Sequence, residues 1–98
     1  MIDARRYALA PDAELTLTGD EGLILKLSDE TMFSLNATGA RIAELIAEGL
    51  EVDAIVNVLT AEYKVAATDV MTDLSNLVDE LLSGGLIVAV VEGERNDQ

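Results

Sequence analysis

Neither cysteine nor histidine occurs in this chain of 98 residues. Together the two absences remove thiol nucleophiles, disulfides, imidazole acid/base chemistry and the usual zinc ligands. Aromatic residues are nearly missing as well, with only Tyr7, Phe33 and Tyr63 present. The core must then be assembled from Leu, Ile, Val and Ala, and little room is left for a cofactor pocket. No cofactor, metal or catalytic role is expected. No apolar run approaches the roughly 18 residues that span a bilayer, and no basic stretch followed by an apolar one opens the chain. A cytoplasmic protein without a membrane partner is the expectation. Basic residues are scarce, 6 against 19 acids for a formal net charge of −13. Such a surface repels phosphate and steers basic partners toward it, so a nucleic-acid partner is not expected. The plainer alternative for this charge is solubility or adaptation to salt.

The chain has one proline, Pro11, and no internal repeat. A chain of this length makes one domain, read here as residues 7–91, with polar flexible termini at 1–6 and 92–98. Leu15 and Leu17 alternate with Glu14, Thr16 and Thr18. Leu23, Leu25 and Leu27 alternate around Lys26, and Phe33 and Leu35 flank Ser34. Period two predicts three short strands with one face buried, joined by hairpins at Gly19-Asp20-Glu21-Gly22 and Ser28-Asp29-Glu30. By this alternation Leu23, Leu25 and Leu27 are the inward set of the second strand.

At Asn36 the apolar spacing changes to that of a helix. Asn36 is placed to cap a first helix that runs to about Glu48 and buries Ile42, Leu45 and Ile46. Gly49 should end it in the left-handed conformation while Leu50 packs back. A second helix covers about Asp53 to Tyr63, burying Val52, Ile55, Val56 and Leu59. The third runs from about Ala67 to Ser83 on a face of Val70, Leu74, Leu77, Val78, Leu81 and Leu82, and stops at Gly84-Gly85. Leu86 to Val91 is strand-like and reads as a closing edge. The fold class is α+β and winged-helix-like, with an N-terminal three-stranded antiparallel meander, a three-helix bundle and a short C-terminal strand. In a winged helix the last helix would read a DNA groove. Here Asp69, Asp73, Asn76 and Glu80 form an acidic stripe on it. Gly39 is a glycine in a first helical turn, where close contact with a neighbouring strand would offset its cost of roughly 0.5–1 kcal/mol.

Four segments carry a family resemblance in their order and spacing. They are Phe33-Ser34-Leu35-Asn36-Ala37-Thr38-Gly39, Val52-Asp53-Ala54-Ile55-Val56, Tyr63-Lys64-Val65 and Leu81-Leu82-Ser83-Gly84-Gly85-Leu86-Ile87. Over about Leu15 to Ile87 the chain resembles PqqD-like proteins, the recognition elements of ribosomally made, post-translationally modified peptide pathways. It departs from them at Ser28-Asp29-Glu30-Thr31-Met32-Phe33, where the family often has a charged residue and glycine before an aromatic pair. A second departure is Ala66-Ala67, where an acid and proline often open the third helix.

The resemblance implies a non-catalytic chaperone that binds the leader of a precursor peptide and presents it to a modifying enzyme. That enzyme is a radical S-adenosylmethionine enzyme, or a leader protease in a lasso-type system, and the chaperone acts as a monomer or weak homodimer. The mechanism it implies is strand addition, with the leader paired to the third strand and its side chains in a groove against the third helix. Carried onto this sequence, the edge is Thr31, Met32, Phe33 and Ser34, and the helical wall is Val70, Asp73, Leu74, Leu77 and Val78. Alternation puts Met32 and Phe33 on opposite faces, with Phe33 inward beside Leu35. Leu74 and Leu77 have plain core packing as an equal alternative. The rival function is a degenerate winged-helix regulator or adaptor acting through protein contacts.

Overall fold

A computed structural model describes residues 4–90. In chain order the elements are β1 (Tyr7–Leu9), β2 (Ala13–Thr18), β3 (Glu21–Lys26), β4 (Thr31–Leu35), α1 (Ala37–Ala47), α2 (Val52–Tyr63), α3 (Ala67–Ser83) and β5 (Ile87–Ala89). The α+β meander-then-helices plan is therefore present, with the expected third strand as β4. β2, β3 and β4 form an antiparallel sheet in sequence order, in which Leu15 faces Ile24 and Ile24 faces Phe33 across the strands.

The turns follow from local chemistry. Asn36 sits in extended backbone at the N-cap of α1, and its side chain accepts from the Gly39 amide at 2.8 Å. This satisfies one of the amides left free at a helix start. α1 ends as expected. Gly49 takes φ +91°, the Gly49 amide donates to the Ile46 carbonyl, and the Leu50 amide donates to Leu45. Those paired reverse bonds are a Schellman ending. The same pair recurs at the end of α3, from Gly85 to Leu82 and from Leu86 to Leu81.

The core lies between the sheet's inner face and the three helices, with Ile24, Ile42, Ile46, Ile55, Leu59, Leu74, Val78 and Leu81 almost wholly buried. Three expectations change here. On β3 the inward residues are Gly22 and Ile24, whereas Leu23 and Leu25 are half-buried on the outer face and Leu27 is exposed. Three consecutive apolar residues, Leu23-Ile24-Leu25, carry no parity of their own. The side that α1 can approach decides it, and a Cβ on Gly22 would stand 3.1 Å from Ala40 Cβ.

The closing strand is also different. β5 pairs antiparallel with β1, Tyr7 against Ala89, in a separate two-stranded sheet. β1 was not expected, because three residues hold too little alternation to show. Val91 lies outside the described residues. Residues 4–6 belonged to the expected flexible terminus, yet they are attached. Arg6 bridges to Glu51, the Arg5 carbonyl accepts from the Val52 amide, and the Ala4 amide donates to the buried Tyr7 hydroxyl. Residues 1–3 and 92–98 of those termini lie outside the described residues.

Candidate functional site

β4 lies at one edge of its sheet, so among the described residues one side of its backbone has no neighbouring strand. Such an edge is a ready template for another extended chain. The strand is entered through a tight hairpin in which Glu30 takes φ +61°. There the Asp29 carboxylate accepts from the Thr31 amide at 3.1 Å. Hydrogen bonds from the Thr31 side chain and amide hold the Asp29 carboxyl below the usual aspartate range. The Thr31 amide is thus engaged already.

Along β4 the faces alternate as anticipated: Phe33 packs against the core and Leu35 is buried, whereas Met32 is 65% exposed and Ser34 is exposed. Phe33 is on the helix side of the sheet and Met32 on the outer side, beside Leu25. A chain added at this edge would therefore send alternate side chains toward the helices and toward Met32.

Asn36, the residue that follows β4, lines a cleft of about 270 Å³. Its base is the start of α1, with Asn36, Thr38, Gly39 and Ile42, and its far wall is α3, with Asp73, Asn76, Leu77 and Glu80. Of the predicted wall residues, Asp73 and Leu77 line this cleft. Leu74 and Val78 do not: both are fully buried, as is most of Val70, because the stripe at 70, 74, 78 and 81 is the one that turns toward α1 and α2. They support the wall from behind and offer no surface. Thr38, Asn76 and Glu80 were not predicted to line the cleft. For Asn76 and Glu80 the signal was available, since they continue the acidic stripe through Asp69 and Asp73. Gly39 is differently placed from expectation. An added Cβ would meet the Asn36 cap oxygen at 3.2 Å and the Leu35 side chain at 3.4 Å, not another strand's backbone.

No basic side chain lines this cleft. Arg41, on α1, is committed elsewhere: it binds Glu62 through Nε at 3.0 Å and Nη2 at 2.6 Å, and Glu44 through Nη1 at 2.9 Å. Hydrogen bonding to Arg41, reinforced by its charge, holds the Glu62 carboxyl below the usual glutamate range. Among the described residues no three carboxylates converge to hold a metal ion. No helix among them is long and apolar enough to cross a membrane. Another cavity, about 660 Å³, lies on the other flank of α3 between Arg5, Glu51 and Met71. It includes none of the predicted site residues.

Two solved structures share this fold over most of the chain. TbiB1 in complex with the TbiA(beta) leader peptide superposes with a TM-score of 0.79 at 29% identity, covering 87% of this chain and 99% of that one. A lasso peptide synthetase B1 complexed with the leader peptide gives 0.76 at 26% identity, covering 85% and 98%. No curated protein matches the chain. The profile of the family described as Coenzyme PQQ synthesis protein D (PqqD) matches residues 21–87, from the start of β3 to the start of β5. With this match spanning β3, β4, the residues that line the cleft and all three helices, the chain belongs to the PqqD family.

Proposed function

We propose that this protein binds the leader of a precursor peptide as an added strand on β4 and presents it, without catalysis of its own, to a modifying enzyme. The observation that carries the reading is the joint of edge and cleft. An open strand edge leads at Asn36 directly into a hollow walled by α3. Backbone pairing with Met32 to Leu35 supplies affinity that is indifferent to sequence, and the cleft beside Leu77 and Asp73 supplies selection. The two structural neighbours, both solved with leader peptides, support the same occupant. They also favour a lasso-type leader protease over a radical S-adenosylmethionine enzyme as the protein served. The acidic face of α3 counts against a DNA-reading role for this fold.

The test is amide exchange on the full chain with and without the leader of a short precursor encoded beside its gene. Exchange should slow within Met32–Leu35 at saturation and stay unchanged along β2, the opposite edge. Tight binding with no slowing in β4 would reject strand addition there.

A further inference from the structure

The cleft beside β4 does not end at α1. Thr38, Ile42 and Asp73 also line a second cavity, of about 330 Å³, between the start of α1, the end of α2 and the start of α3. This one is made differently. α2 stops at Tyr63, Lys64 takes a left-handed conformation at φ 54°, and the turn leaves Tyr63 and Val65 about 44% and 43% exposed at the cavity's mouth. Buried Leu59 and Val70 form its floor, and Asp69 and Asp73, one helical turn apart, form its rim. Its volume is near the low end of small-molecule sites, about 300–1,000 Å³, which suits one or two side chains better than a cofactor.

The combination specifies its occupant. An apolar hollow with exposed aromatic and aliphatic residues at its mouth gains from burying a bulky apolar side chain. Its two carboxylates repel each other at i,i+4 spacing, and no basic side chain lines either cavity. A cation brought in from outside would relieve that repulsion. The position matters as well, because the two hollows adjoin, sharing Thr38, Ile42 and Asp73.

We propose that this second cavity is an anchor for the peptide beyond its paired strand, holding one bulky apolar residue with a neighbouring Lys or Arg between Asp69 and Asp73. The proposal rests on the strand-addition reading and assigns the leader's chemistry outside the strand.

Selection of a randomised peptide library on the immobilised full chain tests it. Selected peptides should carry an apolar–basic pair next to an extended segment. A selected peptide should bind the exposed-site variant Asp69→Asn/Asp73→Asn roughly three- to tenfold more weakly. Replacing the peptide's basic residue by Met should cost as much, and the two changes together no more than either alone. Peptides that slow exchange in Met32–Leu35 but lack the pair and ignore the double variant would overturn the anchor and leave strand addition standing. Peptides that respond to the double variant without slowing β4 exchange would overturn strand addition, and with it the continuous path proposed here.

Discussion

Arg41 acts on the site by being unavailable to it. Its planar guanidinium grips Glu62 at two points and Glu44 at a third, tying α1 to the last turn of α2, so its charge is matched before any peptide arrives. The same pairing has a consequence in acid. Because Glu62 is held below the usual range when folded, the folded protein binds fewer protons there than the unfolded chain. Its stabilising contribution is complete above the unfolded glutamate pKa of about 4.3 and is lost as pH falls through the lowered folded value. Asp12, lowered by its hydrogen bond to Ser28, and Asp29 act in the same direction. Melting temperatures followed from neutral pH into the acid range should therefore fall less steeply for Glu62→Gln than for wild type. Equal slopes would mean that the pair is not held in solution.

At the scale of elements, the decisive approach is α1 over β3. A Cβ at Gly22 would stand 3.1 Å from Ala40 Cβ and 3.2 Å from Leu17 Cδ2. The leucine end can swing away, but the alanine Cβ is fixed to its helix. Gly22→Val should therefore cost about 1–3 kcal/mol by overpacking, read as a lower urea midpoint at unchanged slope. An unchanged midpoint would show that helix and strand can separate freely. Gly22 also shows where sequence reading reached its limit. It was read as a turn residue because it follows Gly19, Asp20 and Glu21, and only the helix that crosses it reveals why no side chain is present. The helices themselves were legible, since apolar period and stop signals are local: α3 has the expected bounds, and α1 ends at the glycine named for it. What was not legible depends on distant partners. β1 and β5 are three residues each and define one another across most of the chain. The inward face of β3 could not be chosen while both faces are apolar. For the site the same division holds. The edge strand came with the family resemblance, and the alternation of Phe33 and Met32 from parity. Which α3 residues face the cleft required the helix's rotation, and that turned Leu74 and Val78 into core and left Asp73, Asn76, Leu77 and Glu80 as the wall.

For the whole molecule the formal charge of −13 acts over a longer range than the groove. A cationic peptide feels the summed field before it touches β4, and the effect belongs to the encounter more than to the final contacts. In the proposed complex, backbone pairing and apolar burial hold the bound strand and are hardly altered by dissolved ions. The two contributions can then be separated by kinetics. Raising salt from about 0.01 M to about 1 M shortens the screening length from about 30 Å to about 3 Å. The association rate of a peptide bearing Lys or Arg should fall by about tenfold or more over that range, while its dissociation rate changes much less. A peptide of the same length with the basic residues replaced should show little salt dependence in either rate. If the dissociation rate of the basic peptide did not rise at all, the carboxylates of α3 would only draw the peptide in, and the hold of Asp69 and Asp73 on a bound Lys or Arg would be rejected. If neither rate moved, the acidic surface would have no part in recognition and would serve only to keep the molecule in solution.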